Sequence, residues 1–124
     1  MVEVNKMKFH YYDYKEFRKF LDNLSEEDMS IILSKIRMAE RIGIVSAMKY
    51  QFIKKLEPNL YEIRIYLSHD ISRSIYFKSV EGNYVISNSF IKKTQKTPQS
   101  ELKKARHRRR KYNDRNREPN QRSQ

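Results

Sequence analysis

Between Leu60 and Ile91 the chain carries three strand-like segments in close succession, and these dictate most of what it can become. From Leu60 to Leu67, residues Tyr61, Ile63, Ile65 and Leu67 fall on one side, the period of a strand. Ser72 to Val80 is rich in Ile, Tyr, Phe and Val, and Tyr84 to Ile91 repeats that character. Only short polar breaks separate the three, and one of them holds Gly82-Asn83, a hairpin-turn signal. A parallel crossover needs a dozen or more residues, so connections this short force antiparallel pairing. The expected fold class is α+β, a small antiparallel sheet whose apolar side must be covered by other elements.

The cover is supplied from the N-terminal half. A first strand is expected over residues 4–12, which alternate weakly and are rich in aromatics. Tyr14 to Leu24 reads as a helix, with Phe17, Phe20, Leu21 and Leu24 at helical spacing. Ser25 followed by Glu26, Glu27 and Asp28 is a capped helix start. Met29, Ile32, Leu33, Ile36, Ala39 and Ile42 continue that helix until Gly43 stops it. Residues 44–57 read equally as a short helical turn, a strand or an extended connection, and Pro58-Asn59 ends them. A last helix is expected from Pro98, with Thr97 as its cap, to about Tyr112. The predicted order is β-α-α-β-β-β-α. It forms one domain over residues 1–112, with a basic, unstructured tail over 113–124.

Register brings the basic residues together. A two-residue turn at Gly82-Asn83 sets Glu81 opposite Tyr84, Ile75 opposite Phe90 and Arg73 opposite Lys92. A four-residue loop from Leu67 to Asp70 sets Tyr66 opposite Ile71 and Arg64 opposite Arg73. Arg64, Arg73 and Lys92 then form one row across three strands. Like charges facing each other destabilise a sheet by a few tenths to about 1 kcal/mol per pair. A bound phosphate compensates, because guanidinium groups present several donors to an oxyanion. A slipped register instead fans the cations into solvent. Lys93 points to the opposite face unless the strand bends after Phe90. Glu62 reads as a local ion pair with Arg64 or a surface carboxylate. On this reading Arg73→Ala removes a cation from a repelling site and leaves the fold as stable as before.

The charge distribution identifies the partner class. Residues 1–87 carry 14 Lys/Arg against 12 Asp/Glu, and residues 88–124 carry 13 against 3. Basic residues surround the last helix and leave no apolar face for a membrane surface, so nucleic acid is the expected partner. Candidate RNA contacts are Lys54, Lys55 and Lys96 around the row, Lys103, Arg106 and Arg110 along the last helix, and Tyr112 as a stacking surface.

Other chemistry is poorly supplied. There is no cysteine, His10, His69 and His107 lack ligand spacing, and two glycines cannot build a phosphate loop. No metal and no cofactor is expected. No apolar run approaches the roughly 20 residues of a membrane span. Met1–Lys6 lacks a signal-peptide core, which makes cytoplasmic location the default. RNA cleavage by its own 2′-hydroxyl remains open. It requires an oriented phosphate and cations that stabilise the phosphorane, with a lysine of depressed pKa as base.

The same residues carry a family resemblance. Lys55-Leu-Glu-Pro-Asn-Leu-Tyr-Glu-Ile-Arg64 resembles the "KL…LYELR" segment of HigB-like toxins. Ile71-Ser-Arg73-Ser-Ile-Tyr-Phe77 resembles their "R-x-x-Y" strand. Phe90-Ile-Lys-Lys-Thr-Gln-Lys-Thr-Pro98, with Glu101 and Ala105, resembles their "F-x-KKTqktP…E…A" signature. The resemblance spans about residues 9–112. It implies a RelE/ParE-type fold, ribosome-dependent mRNA cleavage and a helix-turn-helix antitoxin as partner. It assigns Arg64, Arg73, Lys92 and Lys93 to RNA phosphate as catalytic residues. Where many relatives have a histidine, this chain has Asn88-Ser89-Phe90. The competing readings are a ParE-like gyrase inhibitor that cuts nothing and a phage protein that binds nucleic acid without catalysis.

Overall fold

The structure, a computed structural model, describes residues 7–92 and 96–122, with side chains as far as Asn116. The chain runs β1 (Phe9–Tyr11), α1 (Tyr14–Asp22), α2 (Glu26–Ile42), α3 (Ile44–Lys49), β2 (Ile53–Glu57), β3 (Leu60–Tyr66), β4 (Ile71–Lys78), β5 (Tyr84–Lys92) and α4 (Gln99–Arg122). The fold is α+β, as the sequence requires. The ambiguous stretch 44–57 resolves into both of its readings, a short helix and then a strand.

The sheet order is β1-β5-β4-β3-β2. β2 to β5 form the antiparallel meander that short loops impose, and β1 adds in parallel to β5. The parallel pair was not foreseen. It is allowed because three helices and three strands separate β1 from β5, so the connection is long.

Alternation along the strands divides the core in two. On one face Ile63, Ile65, Tyr76 and Ile86 pack with Phe17 and Leu21 of α1, Ile32, Ile36 and Ala39 of α2, and Ala47 of α3. On the other, Leu60, Ile75, Phe77 and Val85 pack against Leu102 and Ala105 of α4. β4 is buried along nearly its whole length because both faces are covered.

Local chemistry fixes the helix ends. The Asp13 and Ser25 side chains cap α1 and α2, accepting from the amides of Glu16 and Asp28 at 3.0 and 3.1 Å. Gly43, at φ 88°, ends α2. The start of α4 differs from expectation. Pro98 supplies the capping carbonyl to Glu101 and Leu102, while the Thr97 hydroxyl is used elsewhere.

The far end of α4 also differs, since the helix continues past Tyr112 to Arg122. Apolar periodicity stops at Tyr112, but polar contacts continue. The Asn113 carbonyl oxygen of the side chain accepts from the Val80 amide at 3.0 Å, and the Arg115 guanidinium lies 5.6 Å from the centre of the Tyr12 ring. A chain ending at Tyr112 should therefore be less stable than one ending at Asn116, by about 1–2 kcal/mol in denaturant unfolding. Equal midpoints would show that these contacts contribute nothing.

Candidate functional site: a cationic cleft around a buried carboxylate

The row of cations forms, with one register correction. Arg64 pairs with Arg73 and Tyr66 with Ile71. On the other side Arg73 faces Phe90 rather than Lys92, and Lys92 faces Ile71. The reason is a wider turn. Lys78 faces Tyr84, and residues 79–83 close the hairpin through Ser79 N–H to Asn83 O at 2.7 Å and Gly82 N–H to Ser79 O at 2.9 Å. A bulge after Ile86 then shifts the register once more. The pairs before the bulge are slipped by three residues from expectation, which puts Tyr84 to Ile86 on the opposite face, and the bulge reduces the slip to two from Asn88 to Lys92, an even number that keeps the expected faces around Arg73. Lys92 still neighbours Arg73, diagonally instead of directly.

The row is organised by Glu62, which is fully buried and faces Ile75 across β3 and β4. Arg73 Nη1 donates to both of its carboxylate oxygens at 3.0 Å. Arg64 Nη2 donates to Oε1 at 3.3 Å, and Thr97 Oγ1 to Oε2 at 2.9 Å. One carboxylate thus ties β3, β4 and the approach to α4. Reading Glu62 as a surface group missed this, although its ion pair with Arg64 stands. The signal was available: Leu60, Glu62 and Arg64 share a face by alternation, and a buried row of cations needs an anion within it.

Above this centre opens a cleft of about 240 Å³, lined by Lys54, Lys55, Arg64, Arg73, Lys96 and Thr97 among others. Lys54 lies opposite Glu62 across β2 and β3. Lys92 is buried beside this group, and its ammonium has no hydrogen-bond partner among the described residues; nor has Arg64 Nε. Burial first, and the Arg73 charge second, push the Lys92 ammonium below the usual lysine pKa, with Glu62 opposing. Lys93 lies outside the described residues.

The basic helix behaves differently from its composition. Arg106 forms a two-pronged pair with Glu57, at 2.8 Å on both contacts. Arg108 does the same with Glu16, donates also to Ser87 O, and covers the Tyr12 ring at 4.8 Å. Arg109 Nη1 reaches the carbonyls of Pro58 and Asn59. Tyr112 packs edge-on against Phe77, with ring centres 5.8 Å apart, so part of the expected stacking surface is covered. Lys103 and Arg110 are exposed and do not line the cleft. Asn88 donates to the Glu101 carboxylate at 2.7 Å and so ties β5 to α4.

The family described as "Phage derived protein Gp49-like (DUF891)" matches residues 19–110. The chain belongs to the Gp49-like family. That family is a RelE/ParE-like toxin family. The matched span includes α2 to β5 and the first half of α4, and so every described residue of the cleft. No curated protein matches the chain.

The buried pair reverses the expected effect of Arg73→Ala, which now strips a buried carboxylate of its main partner. Arg73→Ala and Glu62→Leu should each cost about 3–5 kcal/mol, whereas Glu62→Leu combined with Arg73→Met should cost much less than the sum of the two single changes. Additive losses in denaturant melts would show that the two groups do not interact. A second expectation concerns α4. Hydrogen bonding to Arg108 and Arg106 holds the Glu16 and Glu57 carboxyls below the usual range. Their contribution is present above the ordinary carboxylate pKa and is lost as pH falls through the depressed values. Protection of α4 amides from hydrogen exchange, measured relative to the intrinsic rate at each pH, should fall across that acidic interval, and less steeply in Glu16→Gln/Glu57→Gln.

Proposed function

We propose that this Gp49-like protein is the toxin of a type II toxin–antitoxin pair, a HigB-like endoribonuclease that cuts mRNA on the ribosome. The observation that supports the reading is the cleft itself. Lys54, Lys55, Arg64, Arg73 and Lys96 converge on it, and Arg64 Nε has no acceptor among the described residues; Lys92, whose Nζ also lacks one, is buried beside Arg73 and outside the lining. A phosphodiester is the acceptor such a group fits. Lys54, Lys55 and Lys96 sit at the cleft lining, where they attract the backbone of a polyanion.

In the proposed reaction the RNA supplies its own nucleophile. The 2′-oxygen attacks the adjacent phosphorus in line, its proton leaves to a base, and the bond to the 5′-oxygen breaks as that oxygen takes up a proton. The products are a 2′,3′-cyclic phosphate and a 5′-hydroxyl end. Arg64 neutralises charge on the non-bridging oxygens, with Arg73 behind it fixed by Glu62. Lys92, its pKa already depressed, is the candidate for moving a proton, and Lys93 is proposed to assist. Lys103, Arg106, Arg110 and Tyr112 are assigned to longer-range RNA contact, with Arg106 and Tyr112 the more committed to packing within the protein. A helix-turn-helix antitoxin is the proposed regulatory partner, and the cytoplasm the proposed site of action. Among the described residues no helix is long and apolar enough to cross a membrane.

Induced expression with mapping of RNA 5′ ends tests this. New 5′-hydroxyl ends within translated messages are expected, together with growth arrest. Arg64→Ala, at a partly exposed position, should remain folded and lose cleavage by about 100-fold or more. Growth arrest without new RNA ends points to the gyrase-inhibitor class. RNA binding without cleavage points to a non-catalytic binding protein.

A further inference from the structure

A second cleft, of about 480 Å³, adjoins the first and shares Arg64 with it. Its other walls are Lys35 of α2, the segment Tyr50-Gln51-Phe52 after α3, and Ile65 and Tyr66 at the end of β3. Most aromatic rings of the described chain are packed, yet Tyr50 and Tyr66 are 69% and 66% exposed. Backbone geometry holds Tyr50 out. Gln51 has φ 68°, a left-handed conformation in a residue other than glycine, and it turns the chain sharply between α3 and β2. Arg64 N–H donates to Phe52 O at 2.9 Å, which anchors the turn to β3. Phe52 is half-buried with the Lys35 ammonium 5.8 Å from its ring centre. Tyr66 lies two residues beyond Arg64, hence on the same face of β3, and its cross-strand neighbour Ile71 faces Lys92.

We propose that this second cleft is a nucleobase site, in which Tyr50 and Tyr66 stack unpaired bases of the single-stranded RNA whose phosphate sits at Arg64. The proposal rests on the reading of the first cleft as a phosphate site. Exposed aromatic rings beside a cationic groove are the arrangement that binds single strands, because every base offers a π-face while the charges follow the backbone. Arg64 belongs to both clefts, so a phosphate bound by it has a nucleoside directed toward the tyrosines. Stacking also provides what Tyr112 does not, since its ring is engaged with Phe77.

The test is fluorescence anisotropy with a short labelled single-stranded RNA and an abasic oligomer of the same length, which keeps the phosphates and lacks the bases. Tyr50→Leu/Tyr66→Leu should weaken binding of the intact RNA about tenfold or more and leave the abasic oligomer unchanged. Tyr50→Phe/Tyr66→Phe should bind like the parent protein. Both pairs change exposed side chains, and unchanged melting temperatures verify the fold. Undiminished binding of the intact RNA by the leucine variant would overturn the proposal, as would equal loss for both oligomers. Arg64→Ala separates the two readings. If it weakens both oligomers while the leucine variant discriminates between neither, the phosphate cleft stands and the base site falls. If Arg64→Ala weakens neither, or neither oligomer binds, both readings fall.

Discussion

A carboxylate with no exposure to solvent, surrounded by cations, is the constraint on which the rest of this structure depends. Burying Glu62 alone would be prohibitive, and burying Arg73 alone equally so. Together, with Arg64 and Thr97 satisfying what remains, they form a charged centre inside an otherwise apolar layer. Such a centre is a weak source of stability compared with well-packed apolar side chains of the same volume. Its value lies in position. It holds two guanidinium groups facing each other across β3 and β4, an arrangement the strands would otherwise resist. It also draws Thr97 inward just before α4 begins, so the rim of the cleft and the helix that covers it share one anchor.

The basic helix looks different once its contacts are known. A third of the chain carries most of the net charge, and the simplest inference is that all of it faces a polyanion. Instead Arg106 and Arg108 are paired with Glu57 and Glu16, and Arg109 reaches backbone carbonyls. These contacts are how a helix of which, among the described side chains, only Leu102 and Ala105 are buried attaches to the rest of the domain. The cations left to solvent, Lys103 and Arg110 among them, form a weaker, more diffuse surface than the sequence implies. The focused site is on the sheet, where donors without acceptors remain.

Much of this was readable in the residues. The strand-like segments between Leu60 and Ile91 required the meander, and the caps at Ser25 and Gly43 marked α2 to the residue. The loop from Leu67 to Asp70 placed Arg64 opposite Arg73 correctly because its ends are sharply defined by the flanking strands. The Gly82-Asn83 turn misled by three residues of register, since a two-residue turn and the observed five-residue loop carry the same glycine signal. The bulge at Ser87 restored the expected faces from Asn88 onward, and with them the row of cations. β1 against β5 could not be read at all, because long-range parallel pairing leaves no local trace. Glu62 was seen but undervalued. A carboxylate near an arginine in sequence is usually a surface pair, and only the cover that α4 provides turns it into a buried hub. Tyr50 and Tyr66 were hidden for the opposite reason: aromatic residues are normally core, and exposure is a property of the folded chain.

The hub can be observed directly in the Arg73 side chain by nitrogen-detected NMR of its guanidinium group. An Nη1 that donates to both Glu62 oxygens cannot rotate freely about the Nε–Cζ bond. The account predicts separate, slowly exchanging Nη resonances for Arg73 in the parent protein, and their collapse to one averaged signal in Glu62→Gln. A single averaged Arg73 signal in the parent protein, or separate signals that persist without the carboxylate, would contradict it.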